Sequence, residues 1–135
     1  MAGYSATPLA KKLGISAGRL LVLNEPAGFQ AALGALPKGV ERTSSLAGRN
    51  PFDVAVVFVR RRAGLDRAFA RVTARMTVAG GVWIAWPKRT SGVETDVTED
   101  VLREVILPLG LVDRKVCAID ATWSGLLFSW RRRAV

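Results

Sequence analysis

Apolar and polar positions divide the chain into short blocks with two different periods. Arg19-Leu20-Leu21-Val22-Leu23 is a nearly continuous apolar run, the habit of strands buried on both faces of a parallel sheet. It is the predicted first strand. Asn24-Glu25-Pro26-Ala27-Gly28 reads as a turn, after which Phe29, Ala32, Leu33 and Leu36 recur at helical spacing until Pro37 and Gly39 stop the helix. A weaker second strand is expected between Val40 and Leu46. Phe52 to Val59, eight residues of mostly β-branched and apolar character, is the strongest strand. A helix is predicted from about Ala63 to Met76, with Leu65, Phe69, Val72 and Met76 on one face and Arg67, Arg71 and Arg75 on another. Ala79-Gly80-Gly81 is expected to break it. Val82 to Trp86 follows as a strand closed by Pro87, then a polar loop from Lys88 to Thr95. Asp96 and Glu99 have the spacing of a capping box for a helix that buries Val101, Leu102, Val105 and Ile106 and ends at Pro108 and Gly110. Lys115 to Asp120 and Leu126 to Trp130, joined around Ser124-Gly125, read as an antiparallel hairpin.

Alternating strands and helices imply an α/β domain with a mostly parallel sheet covered on both faces. About six strands and three main helices are expected, in a single domain over residues 1–135 with a lead-in over 1–18. A chain of this length buries roughly 65–70% of its unfolded surface and needs no metal or disulfide to hold a core. Cys117 is the only cysteine, so an intrachain disulfide and a thiolate metal cluster are both excluded. There is no histidine, which removes every mechanism that needs imidazole. No Gly-Lys-Ser or Gly-Lys-Thr occurs, so there is no P-loop. The longest apolar run, Val54 to Val59, is far below the roughly 20 residues that span a bilayer. Lys11 and Lys12 interrupt the first 25 residues, so a soluble, cytoplasmic protein without membrane partners is expected.

The layout is similar to the class I methyltransferase fold, a Rossmann-like sheet whose last strand returns antiparallel. Val78-Ala79-Gly80-Gly81-Val82-Trp83-Ile84 resembles the "Pro-Gly-Gly then strand" segment of those enzymes. The resemblance implies the spatial order second, first, third, fourth, sixth, fifth strand, with one strand and one helix of the complete fold missing. Three further segments resemble the bacterial family known as domain of unknown function 3052: Tyr4 to Ile15, Trp83 to Lys88 and Ala121 to Leu126. With the strands between them they cover nearly the whole chain. That family implies the fold and leaves activity open.

A class I methyltransferase binds S-adenosylmethionine over a glycine-rich turn after its first strand, because the backbone must approach the ligand closely. Here that turn has one glycine, Gly28, and Pro26 removes a backbone donor. The fold's ribose ligand is an acidic residue at the end of the second strand, where this chain has Ser44 and Ser45. These departures lead to the expectation of a non-catalytic, degenerate methyltransferase-like module with no cofactor. The alternative is a small S-adenosylmethionine-dependent methyltransferase, completed by a partner chain. Cys117, mid-strand with no base to activate it, is expected to be a buried structural thiol. Glu25 and Asp120 fall at strand ends, where capping or surface roles are expected.

In an open parallel sheet, ligands bind beyond the carboxyl ends of the strands. That edge is expected to gather Asn24 and Glu25, Arg60 and Arg61, Lys88 and Arg89, and Trp123 and Ser124. The ligand expected there is a small anion held by Arg60, Lys88 and Arg89, with Trp123 as a lid or stacking wall; a protein partner is the other possibility. The chain carries 20 Lys+Arg against 11 Asp+Glu, a net charge of +9. Residues 60–75 hold six Arg and one Asp, whereas residues 94–104 hold five carboxylates and one Arg, and Arg131-Arg132-Arg133 adds a basic tail. Opposite stripes of this kind permit self-association as a homo-oligomer or docking to a charged partner. The basic total makes a nucleic-acid-binding domain the rival class, although the acidic segment interrupts the continuous basic face such a domain needs.

Overall fold

The computed structural model describes residues 7–131. Tyr4, Ser5 and Ala6 of the first family-like segment, and Arg132 and Arg133 of the basic tail, lie outside the described residues. The elements run α1 (Leu9–Lys12), β1 (Gly18–Leu23), α2 (Phe29–Leu33), β2 (Val40–Thr43), β3 (Phe52–Phe58), α3 (Leu65–Thr73), β4 (Met76–Pro87), α4 (Glu99–Ile106), β5 (Leu111–Ala118) and β6 (Trp123–Trp130). They build one six-stranded sheet in the order β2-β1-β3-β4-β6-β5. Pairings among β2, β1, β3 and β4 are parallel, and β6 runs antiparallel to both its neighbours. This is the α/β, mostly parallel sheet with an antiparallel hairpin that the strand patterns imply, in the Rossmann-like strand order that the resemblance to class I methyltransferases implies.

Both sheet faces are covered, which is why β1 and β3 read as unbroken apolar runs. Leu20, Val22, Val56, Phe58 and Trp83 face α1 and α2. Leu21, Ala55, Val57, Ile84 and Phe128 face α3 and α4. Each large apolar side chain buried this way contributes about 1.5–3 kcal/mol of transfer free energy. Phe69 of α3 meets Phe128 of β6 edge to face at 5.9 Å. The lead-in joins the first layer through buried Ala10, Leu13 and Ile15.

Four local expectations are corrected. The helix expected to reach Met76 ends at Thr73, and Met76 opens β4 by pairing with Phe52. Helical spacing runs past the true end because Met76 also packs on the core, as a strand residue. Ala79-Gly80-Gly81 therefore lies inside β4, where the register slips between Phe52 and Val54 and Val78 bulges outward, 89% exposed. A Cβ on Gly80 would sit 2.9 Å from the Asp53 carbonyl oxygen and 3.2 Å from that of Phe52, so close backbone approach demands glycine there.

The α4 cap is Thr98, which accepts from the Val101 N–H at 3.2 Å. Asp96 accepts instead from the Arg62 N–H at 2.7 Å, so no capping box forms. The β5–β6 turn is 119–122, closed by Asp120, whose Oδ1 accepts from the Thr122 and Trp123 N–H groups at 2.8 Å each. Ser124 and Gly125 are strand residues opposite Ala118 and Cys117. Gly125 lies against the Trp83 ring, where a Cβ would come within 3.1 Å of it. Cys117 is half-buried on β5, and burial pushes its thiol pKa up. No helix among the described residues is long and apolar enough to cross a membrane.

Candidate functional site

From β1 the chain crosses to β2 on one side, and from β3 it crosses to β4 on the other. Crossovers leaving in opposite directions open a crevice beyond the carboxyl ends of the strands. A cleft of about 610 Å³ lies there, between the turn after β1 and the segment joining β3 to α3.

Its floor is a row of aromatic rings. Phe58 packs edge to face on Phe29 at 4.8 Å and on Trp123 at 5.1 Å. One wall is Asn24-Glu25-Pro26. Asn24 is the only non-glycine with positive φ (58°) among the described residues, and its side-chain amide donates to the Phe58 carbonyl at 3.2 Å. That bond fixes the β1 turn to the end of β3, and the left-handed backbone is held by its surroundings. Glu25 forms an ion pair with Arg42 of β2. The opposite wall is Arg60, Arg61 and the start of α3, entered through Gly64 at φ 77°.

The frame behind this wall is tied at several points. Val59 N–H donates to the Ala85 carbonyl at 2.9 Å, and the Thr95 hydroxyl donates to the Arg60 carbonyl at 2.7 Å. Arg62 pairs with Glu104 of α4 at 3.3 Å. Arg103 holds Glu99 and Asp113 at 2.7 and 3.0 Å. The oppositely charged segments seen in the sequence thus neutralise one another in part within the chain. A smaller depression of about 400 Å³ shares Asn24 and Ala68 with the cleft and extends over the end of β2, where Ser44 and Ser45 stand beside Leu23, Leu46, Val57 and Arg71.

Of the sequence-predicted edge residues, Asn24, Glu25, Arg60, Arg61 and Trp123 line this one cleft. Lys88, Arg89 and Ser124 do not. The Lys88 N–H is tied to the Thr122 carbonyl at 2.7 Å, and the 3-10 turn Arg89–Ser91 carries Arg89 to a neighbouring hollow beside Glu94, Glu99 and Asp100. Ser124 is paired within the sheet opposite Trp86. Trp123, expected as a lid or stacking wall, lines the cleft but is only 8% exposed and packs on Phe58, so it is no lid. Glu25 and Asp120 make no acid–base pair, since one is bound to Arg42 and the other closes its turn. Sequence reasoning missed Phe58, Gly64 and Ala68. Gly64, just before the apolar periodicity of α3, is the one of these with a readable sign. Among the described residues no cluster of three or more metal-ligating side chains occurs.

No protein-family model and no curated protein sequence matches the chain. Solved structures do. A ribosomal protein L11 methylase from Lactobacillus delbrueckii subsp. bulgaricus superposes with a TM-score of 0.59 at 12% identity, over 92% of this chain and 75% of that one. DhpI in complex with SAH gives 0.64 at 13% identity, over 93% and 83%. A TehB-like SAM-dependent methyltransferase from Corynebacterium glutamicum gives 0.54 at 13% identity, over 96% and 91%. At such identities the likeness establishes the fold. It also corrects the expectation of a non-catalytic, degenerate module without a cofactor. That expectation rested on a sparse glycine turn and a missing carboxylate, yet the shared architecture spans over nine-tenths of the chain and belongs to structures named as methyltransferases, one of them SAM-dependent and another protein in complex with SAH.

Proposed function

We propose that this chain is a small S-adenosylmethionine-dependent methyltransferase, with the cofactor placed across the carboxyl ends of β1 and β2 and the acceptor in the adjoining cleft. The observation that carries the reading is the position of the cleft at the reversal of strand order, in a sheet shared with methyltransferases over most of its length. Bound there, the cofactor supplies an electrophilic methyl group on a sulfonium.

The residues present suit that molecule in kind. It carries two cationic centres, a carboxylate, a ribose diol and an adenine. Glu25 offers a carboxylate to a cation or hydroxyl, and Arg42 holds it in place. Ser44 and Ser45 offer exposed hydroxyls at the end of β2, and Leu23, Leu46, Val57 and Ala68 form an apolar wall for a flat ring. Gly28, at φ 93°, is exposed just after the Asn24-Glu25-Pro26 wall. Phe58 and Trp123, closed beneath the cleft, exclude water from its floor. With no carboxylate at the end of β2, since Glu41 within the strand pairs with Arg19, the diol is left to serine hydroxyls and to Glu25. The three family-like segments support membership of the domain of unknown function 3052 family, and a single unpaired cysteine supports a cytoplasmic setting.

Titration calorimetry of the folded chain with S-adenosylhomocysteine tests the proposal. Saturable one-to-one binding that Glu25→Gln weakens about tenfold is expected, the usual cost of one charge-assisted hydrogen bond. Absence of heat at millimolar ligand would refute it.

A further inference from the structure

We infer that the group methylated is a small carboxylic acid, bound as its anion by Arg60 and Arg61. This rests on the methyl-transfer reading and names its acceptor.

The first support is unbalanced charge. Arg19, Arg42, Arg62 and Arg103 each face a carboxylate. Among the described residues, Arg60 and Arg61 face none, although both line the cleft. The one carboxylate of the cleft, Glu25, is already neutralised by Arg42. Two exposed arginines therefore border the cleft without counter-charge, and a guanidinium fork matches a carboxylate in shape and charge. Their backbone is rigid. The Arg60 carbonyl accepts from Thr95 and Asp96, and Arg62, two residues on, is bonded to Asp96 and Glu104. Main chain tied in this way fixes where the two side chains start, while ordering each exposed guanidinium on a ligand still costs side-chain entropy.

The second support is the missing base. The chain has no histidine, Glu25 is ion-paired, and Asp120, which closes the β5–β6 turn, does not line the cleft. Nothing in the cleft is placed to take a proton from an alcohol or an ammonium. An acceptor that arrives already ionised needs no such group. A carboxylate oxygen forms the new O–CH₃ bond as the S–CH₃ bond breaks, and the electron pair of that bond returns to sulfur. A neutral ester and a neutral thioether result, and no proton moves. Of two guanidinium groups, one neutralises the acid and the other remains for a second anionic or polar substituent, which leaves an oxygen free to react.

Size follows from the surroundings. The neighbouring hollow carries Glu94, Glu99 and Asp100 against Arg89, with Arg103 beside Glu99 and Asp100, a surface that breaks the basic run an extended polyanion needs but does not touch a compact one seated in a cleft of about 610 Å³. A small acid is favoured over a nucleic-acid strand.

Calorimetric titration of the full chain with acetate, citrate and salicylate at low ionic strength tests the inference. At least one is expected to bind saturably. The Arg60→Gln/Arg61→Gln double variant should weaken it about tenfold or more. Arg114→Gln, near the opposite end of the sheet beside Ser129, should leave it unchanged, with circular dichroism confirming that each variant is folded. Failure of every acid to bind, or equal loss in Arg114→Gln, overturns the inference. So does tighter binding of single-stranded RNA that falls with Arg67→Gln and Arg89→Gln alike. The same samples titrated with S-adenosylhomocysteine separate the two readings. Cofactor binding without acid binding removes the acceptor assignment alone, while acid binding without cofactor binding removes methyl transfer and with it the acceptor's role.

Discussion

Trp83, in the middle of β4, donates its indole N–H to the carbonyl of Leu13 at 2.8 Å, both residues being buried. The bond joins the lead-in to the centre of the sheet and closes the layer above the Phe29–Phe58–Trp123 row. Trp83→Phe keeps an aromatic ring but leaves a buried carbonyl without a donor, which costs about 1–3 kcal/mol. Urea unfolding of the variant should show a lower midpoint with an unchanged slope. An unchanged midpoint would mean that the lead-in is not held by this bond.

Gly80→Ala tests the slipped register of β4. The added methyl meets two backbone carbonyls, Asp53 and Phe52, and neither can swing aside as a side chain can. Overpacking of this kind costs about 1–3 kcal/mol. Thermal unfolding should occur at a clearly lower temperature than for Gly14→Ala, where no atom lies near the new Cβ and only the positive φ is strained.

Asp113 bridges β5 to α4. The hydrogen bond from Arg103 holds its carboxyl below the ordinary value of 3.8. A folded-state value below the unfolded one means that the pair stabilises the fold at neutral pH and ceases to do so as pH falls through the folded-state value. The pair is partly exposed, so the contribution is about 0–1 kcal/mol. Asp113→Asn should be less stable than the parent at pH 7 by that small amount, and the difference should vanish in strong acid. A difference that grows on acidification would contradict the assignment.

Burial raises the Cys117 thiol above its ordinary value of 9.0, against the opposing pull of Lys12 and Lys115. Alkylation at neutral pH should be slow and should accelerate only in alkaline solution. Fast labelling at pH 7 would show a thiolate that this position does not favour.

The covered parallel sheet was legible because β1, β3 and β4 are apolar on both faces; the order of its strands came from the resemblance to the class I methyltransferase fold. Local punctuation was less legible, for reasons that lie in tertiary contacts. Met76 keeps helical spacing with Val72 yet pairs with Phe52 across the sheet. Asp96 has cap spacing yet is claimed by the Arg62 N–H, which leaves the cap to Thr98. At the site, Asn24, Glu25, Arg60 and Arg61 follow β1 and β3 directly and so arrive where topology sends them. Lys88 and Arg89 follow β4 just as directly, but the 3-10 turn deflects them. The expectation of a cofactor-free module rests on two local departures, the sparse glycine turn and the serines at the end of β2, whereas the sheet shared with methyltransferases shows only when the whole chain is folded.

The account stands on a cofactor lying where the strand order reverses. A crystal structure of the chain grown with S-adenosylhomocysteine measures this directly. The predicted result is ligand density across the ends of β1 and β2, touching Glu25 and Ser45, with Arg60 and Arg61 still free on the far wall. Density at the Arg114 end of the sheet, or a vacant cleft at saturating ligand, would contradict it.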